Sequence, residues 1–360
     1  MSVEAALHNA RSGAPHPGKT LILSRRVAIG DPQAPLEHVL SILDAHQLLD
    51  HEGWLHPSVH LVSMGDHFDF GGAKDWKTAA ADGYDFLSWL AAHPDEQVTL
   101  LFGNHDSARV GELADFDDTQ FARAREAATA VYAGKKRKAD DAGEAAFLRD
   151  FPTLPSSELA ARDVSAVESR QRELVTQLLL DGRFRLAAEF SGALLTHAGI
   201  TQRELLALGL RTLGAAAIAG ALNEFLAVRV GSWKGGALDL APLHVHGDGS
   251  GEGGGMLYHR AAVAADDAGP RRRRFPATEL PRGLTQVIGH VRDSKTRQLL
   301  GLTAGGDRPG AIRSLTVRDT GVDYVHGVDR TAQMIFLDGG MKECPPKEYQ
   351  LLDLDAMRAL

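Results

Sequence analysis

Short apolar runs that break off at a glycine and a metal-ligating side chain recur along this chain, and that recurrence limits its fold more than any other feature. Residues 27–29 run into Gly30-Asp31-Pro32-Gln33, 59–64 into Gly65-Asp66, and 98–102 into Gly103-Asn104-His105-Asp106. Helical spacing fills the intervals: Leu36, Val39, Leu40 and Leu43 follow Pro35 on one face, and Phe86, Leu87 and Leu90 share another. A strand–helix–strand–helix–strand order predicts parallel pairing through right-handed crossovers. Residues 21–23 are also β-like. Further on, 184–189 and 193–196 predict a hairpin turning at Ser191-Gly192, its second strand ending at His197-Ala198-Gly199. Three late strands are expected at 285–288 (into Gly289-His290), 311–317, and 333–337 (into Asp338-Gly339-Gly340).

Loops at the carboxyl ends of strands in a twisted sheet face one crevice. Asp31 with Gln33, Asp66 with Asp69, Asn104 with His105, His197 and His290 are therefore expected to meet there. Each has a plainer reading when taken alone. Asp31 and Asp66 suit helix caps, Asn104 suits a left-handed turn, and His197 and His290 suit satisfied core positions. Five such coincidences at one end of one sheet point to metal binding instead. His67, His244, His246 and His326 read as surface or supporting residues.

Composition narrows the class. With 360 residues, 44% hydrophobic and 24% charged, the chain is globular in character and long enough for one large domain with insertions, or for two domains. Its single cysteine, Cys344, excludes an internal disulfide and any cysteine-based zinc site. A net charge of −8 disfavours nucleic acid as a partner. The basic run 271–274 lies beside the glycine-rich stretch 247–255 and reads as a solvated loop. Residues 1–19 read as an N-terminal tail without the apolar core of a signal peptide. The apolar stretch 213–230 is interrupted by Asn223, Glu224 and Arg229, so it predicts a buried helix, not a membrane span. A cytoplasmic setting and no membrane partner are expected.

The ordered blocks LVSMGDHFDFG, LLFGNHD, LLTHAGI, QVIGH and IFLDGG, with Asp31-Pro32-Gln33 ahead of them, resemble the calcineurin-like metallophosphoesterase superfamily. The resemblance is nearest to the branch shared by serine/threonine phosphoprotein phosphatases and bacterial diadenosine tetraphosphate hydrolases. It covers about a third of the chain. It implies an α/β fold, a four-layer αββα sandwich with helical insertions. A single domain would span residues 20–345, with cap-like insertions at about 111–183 and 201–284. Within the first insertion, 134–143 reads as a mobile surface loop.

The same resemblance implies two divalent metal ions, with Mn²⁺ expected and Mg²⁺, Fe or Zn²⁺ as other candidates. Asp31, Gln33 and Asp66 would hold one ion; Asp66, bridging, with Asn104, His197 and His290 would hold the other. A metal-bridging hydroxide would attack phosphorus in line, with His105 as general acid and Asp69 fixing its tautomer. The implied enzyme is a phosphoester hydrolase acting on a phosphorylated small molecule, nucleotide or phosphoprotein. A dinucleoside polyphosphate hydrolase, or a weakly catalytic phosphate- or nucleotide-binding protein on the same scaffold, are the alternatives.

Two positions depart from the family pattern. Gln33 stands where histidine is usual, and its neutral, hard carbonyl favours Mn²⁺ or Mg²⁺ over softer ions. Phe70 stands where a phosphate-clamping arginine is usual. Arg260, Arg109 and Arg292 are the candidates to replace that charge. Phe70 itself is expected either to stack on a nucleobase or to fill the pocket wall.

Overall fold

A computed structural model of the chain describes residues 2–72, 74–132, 140–210, 214–266, 269–303, 306–319 and 321–360. Helix α1 (Ser2–Ser12) leads into strand β1 (Arg25–Ile29), helix α2 (Leu36–Ala45), strand β2 (Val59–Ser63), helix α3 (Trp76–Ala92) and strand β3 (Val98–Leu101). Helices α4 (Asn104–Val110), α5 (Asp118–Tyr132), α6 (Asp141–Asp150) and α7 (Ser169–Leu180) follow, with a π-helical turn at Leu159–Asp163. Next come β4 (Phe184–Arg185), β5 (Ala187–Phe190), β6 (Ala193–Thr196), α8 (Gln202–Ala207) and α9 (Ala215–Ser232). Short strands β7 (His244–Val245), β8 (Gly254–Gly255), β9 (Arg260–Ala262) and β10 (Arg274–Pro276) precede β11 (Gln286–Ile288) and α10 (Asp293–Leu299). The chain ends through β12 (Arg313–Arg318), β13 (Gly321–His326), β14 (Met334–Phe336), β15 (Leu352–Asp353) and β16 (Arg358–Ala359).

Two six-stranded sheets result, ordered β16-β15-β1-β2-β3-β4 and β13-β12-β14-β11-β6-β5. The expected parallel pairs β1–β2 and β2–β3 form, and β11 runs parallel to both β6 and β14. Because side chains alternate across a strand, each strand feeds two different cores. Val27 and Ile29 face the helical layer of α1, α2 and α3, while Ala28 faces the second sheet. Val287 and Ile335 face inward, while Ile288, Met334 and Phe336 face an outer cluster with Val291 and Leu300. Burial on both faces explains why these runs are apolar throughout and do not alternate. The architecture is α/β, with two sheets face to face and helices outside. Truncating Leu195, fully buried between the sheets, is expected to cost about 2–5 kcal/mol.

Several expectations change. Residues 184–189 do not form one strand: β4 joins the first sheet and β5 the second. The crossing is held by Asn223 of α9, whose Oδ1 accepts from the Leu186 and Ala187 amides and whose Nδ2 donates to the Ala187 carbonyl. Hydrophobic pattern carries no trace of that side-chain device. Residues 21–23 lie outside the sheets, with Ile22 74% exposed. The segment expected as a tail contains α1, whose Ala6 and Ala10 are buried against the main core. Within 134–143, residues 141–143 begin α6, and 134–139 lie outside the described residues. The basic run 271–274 is not a free loop. Arg274 pairs in register with Arg260, and Arg272 forms a two-pronged ion pair with Glu279. No described helix is long and apolar enough to cross a membrane.

Candidate metal centre

The loops that follow β1, β2, β3, β6, β11 and β14 converge at the carboxyl ends of their strands. A cavity of about 280 Å³ opens there, lined among others by Gln33, Asp66, Asn104, His105, Arg260 and His290. Backbone strain is concentrated at this point. Six described non-glycine residues have positive φ, and Asp66 (57°), Asp69 (65°) and His290 (62°) are three of them. Left-handed backbone at such residues persists only where the surroundings enforce it.

The turn after β2 is clamped onto the turn after β3 by Asp106, the last residue of Gly-Asn-His-Asp. Its carboxylate accepts from the amides of Asp66, His67 and Gly103 and from His67 Nδ1. His67 also meets Ser63 Oγ at 2.9 Å, so it is a satisfied internal residue and not a ligand. Glycine is required beside the carboxylates. A Cβ on Gly103 would lie 2.3 Å from Asp66 Oδ1, and one on Gly289 would lie 2.0 Å from Asp31 Oδ1.

His197 is the side chain most clearly set up to take a cation. Its Nδ1 lies 2.8 Å from the Met64 carbonyl, which can only accept, so Nδ1 holds the proton. In the neutral ring Nε2 is then a lone pair. It faces Asn104 Oδ1 at 3.0 Å, His290 Nδ1 at 3.2 Å and Asp66 Oδ1 at 3.4 Å. Burial disfavours a charged His197, but the Asp66 carboxylate outweighs it and raises the pKa. Burial, then Arg260, pushes His290 well below the usual histidine value, leaving it neutral. Its Nε2 is buried without a hydrogen-bond partner. Ligand atoms of Asp66, His197 and His290 all lie within 4.8 Å of one another, a grouping that can hold a metal ion. Among the described residues no other set of three histidine, cysteine or acidic side chains does so.

Asp31 sits beside this group without joining it. Its carboxylate accepts the His290 amide at 2.9 and 3.1 Å. Burial, then the charges of Asp338 and Asp66, raises its pKa well above the carboxylate range. Gln33 donates its Nε2 to the Phe68 carbonyl at 3.1 Å and lines the cavity. Its remaining amide function is an acceptor, as a cation ligand requires.

His105 is held at Nδ1 by Asp69 Oδ2, 2.9 Å away. Burial opposes its charge, yet Asp66 and Asp69 outweigh that and lift it to about 9. The three arginine candidates separate. Arg260 lines the cavity and has no ion pair or side-chain hydrogen bond among the described residues. Arg292 stands at the rim, paired with Glu343 at 2.5 Å and 40% exposed. Arg109 is fully buried and outside the cavity, with its guanidinium on Asp69, Gln171 and two carbonyls. Its expected place among substrate contacts is corrected: none of its nitrogens is free to reach a ligand. Phe70 is packed with Trp76 against Ala79, Ala80 and Ala166, away from the cavity, so it neither lines the wall nor offers a face to a base.

Several residues escaped sequence reasoning. Lys295, from α10, lines the cavity without a carboxylate partner among the described residues, its one side-chain contact being Gln298 at 3.4 Å. Asp338 and Tyr258 line it too, and Tyr258 stacks on His244. Behind them, Glu112 meets His246 Nδ1 at 3.2 Å and the Gly247 amide at 2.8 Å, tying the turn after α4 to the glycine-rich stretch. The glycine-rich run GEGGGMLYHR is the one signal that could have drawn attention to Tyr258.

No family model matches the chain, and no curated protein matches it. Among solved structures, it is similar to a cold-active protein tyrosine phosphatase, with a TM-score of 0.45 and 16% identity over 96% of this chain and 81% of that one. The cold-active protein-tyrosine phosphatase of a psychrophilic Shewanella species gives 0.43 and 17%, over 96% and 83%. TM-scores this low carry neither fold nor chemistry from one chain to the other, so both rest on the geometry of this chain.

Proposed function

We propose that the chain is a metal-dependent phosphoester hydrolase, in which Asp66 would be shared by the two divalent ions the site would hold. The observation that carries this reading is the convergence of Asp66, His197 and His290, with Asp66 and His290 lining a cavity that also contains His105 and the unpaired Arg260. The donors suit such ions: one fixed-tautomer imidazole, one orphaned imidazole, a neutral amide and a carboxylate kept ionised by its neighbours. Asn104 would complete the His197 side, and Asp31 with Gln33 the other. Gln33, a hard oxygen donor, favours Mn²⁺ or Mg²⁺. When bound, such ions supply Lewis acidity toward phosphoryl oxygens and acidify water.

The residues of the chain divide the remaining work. Arg260 and Lys295, neither of which forms an ion pair among the described residues, hold phosphoryl oxygens. His105, with Nδ1 occupied by Asp69, presents Nε2 to the cavity and donates its proton to the leaving oxygen. Asp69 keeps that tautomer. The cationic Arg260 and Lys295 line the cavity, and Tyr258 there already stacks on His244, which favours a phosphate group over a base as the recognised feature.

The test is hydrolysis of p-nitrophenyl phosphate and its bis-ester with added Mn²⁺, alongside elemental analysis. Turnover in the wild type and its loss in Asp66→Asn, together with metal, is expected. Tight phosphate binding without turnover, or full activity in Asp66→Asn, would sink the proposal. Highest activity with Zn²⁺ alone would overturn the part assigned to Gln33.

A further inference from the structure

Gln171 belongs to α7, 66 positions after His105, and nothing about its sequence neighbourhood draws attention to it. It is fully buried all the same. Its Nε2 donates to the carbonyls of Ala80 and Ala166, each at 3.0 Å. Those two bonds orient the amide, so Oε1 faces Arg109 and accepts from its Nε at 3.2 Å. Arg109 in turn gives Nη1 to Asp69 Oδ2 at 2.5 Å and to the His105 carbonyl at 3.0 Å. Its Nη2 reaches the Ala166 carbonyl at 3.2 Å, and its guanidinium lies 4.5 Å from the Phe68 ring centroid. The other oxygen of Asp69 accepts the Ala166 amide at 3.0 Å.

The pattern is a closed frame. Asp69 has a positive φ, so its carboxylate is aimed by a backbone that would relax without support. Both of its oxygens are engaged by the segment 166–171 or by Arg109, and Arg109 is engaged by Gln171. We propose that Gln171 is a positioning residue for the proton donor, acting through Arg109 and Asp69 on His105. The helical insertion would then do more than cover the site: it sets the direction of the His105 ring. This inference rests on the hydrolase reading for its catalytic meaning, but the frame itself consists of hydrogen bonds outside the cavity.

The test uses Gln171→Met, which removes the acceptor at similar volume, and Gln171→Glu, which restores an acceptor for Arg109. Phenyl phosphate needs its leaving oxygen protonated, whereas p-nitrophenyl phosphate leaves with little help. In Gln171→Met, kcat on phenyl phosphate is expected to fall about 10- to 100-fold at unchanged KM, with p-nitrophenyl phosphate within about threefold and metal content unchanged. Gln171→Glu, which regains the acceptor but loses the donors to the Ala80 and Ala166 carbonyls, is expected to recover only part of the loss. Equal losses on both esters, or none on either, would overturn the proposal. If Gln171→Met does not fold, Arg109→Lys keeps a charge beside Asp69 and is expected to give the same selective loss. Should the wild type hydrolyse no ester, the hydrolase reading fails by itself. ¹⁵N signals of the His105 ring, assigned with His105→Asn, then decide the frame: a shift in Gln171→Met supports it and identical signals refute it.

Discussion

His197 Nε2 and Asn104 Oδ1 lie 3.0 Å apart while His197 Nδ1 is committed to the Met64 carbonyl. With a neutral ring both groups are acceptors, so the contact is favourable only when a proton or a metal ion stands between them. The pKa of His197 is raised because the Asp66 carboxylate outweighs burial, so without an ion the ring gives up its second proton at higher pH than a free histidine does. A metal must displace that proton. Affinity for Mn²⁺ is therefore expected to rise with pH from 6 to 8, with proton release in calorimetry performed in two buffers. An affinity independent of pH would contradict this.

Ions bound only by the folded chain also stabilise it. At a free ion concentration about 100 times Kd, the gain is about 2.7 kcal/mol. Chelation is expected to lower the urea midpoint of the wild type and to leave that of Asp66→Asn unmoved.

Arg260 and Lys295 line the same cavity, and Arg260 is among the charges that lower the Lys295 pKa, after burial. Two unpaired cations held close together repel until an anion separates them. Arg260→Ala and Lys295→Ala are each expected to raise KM for p-nitrophenyl phosphate about tenfold or more, with less effect on kcat. Initial rates across substrate concentration check this. Arg292→Ala, already balanced by Glu343, is expected to change KM by less than about threefold.

Gly289 leaves room for the Asp31 carboxylate, since a Cβ there would lie 2.0 Å from Oδ1. Gly289→Ala is expected to cost about 1–3 kcal/mol and to reduce metal content, because Asp31 must move. Gly72→Ala, where a Cβ meets nothing within 4 Å, serves as control. Equal metal content in both variants would refute the constraint.

Glu112 gives a pH dependence of stability. Burial alone would raise its pKa, but the charge and hydrogen bond of His246 outweigh it and hold the group at about 2. A carboxylate depressed in the folded state contributes stability that is present above its unfolded value of about 4.3. That contribution is lost as pH falls from there toward 2. Urea unfolding of the wild type is expected to weaken across this window, and Glu112→Gln to show a shallower decline from a lower starting point.

Sequence alone determined where strands end and which chemistry waits at those ends. Glycine followed by a ligating side chain marks both a turn and a donor, and parallel strands separated by helices must bring such ends to one edge. Asp31, Asp66, Asn104, His197 and His290 were legible for that reason. Tertiary structure alone decided what depends on contacts between distant segments. Asn223 divides residues 184–189 between two sheets, Gln171 and Asp69 bury Arg109 away from the cavity, and Phe70 packs on Ala166 outside it. It also placed Lys295 in the cavity, one residue among many lysines and arginines in the linear chain. Local pattern reports periodicity and turn chemistry, whereas the partner of a charged or amide side chain is chosen by burial and geometry across dozens of residues.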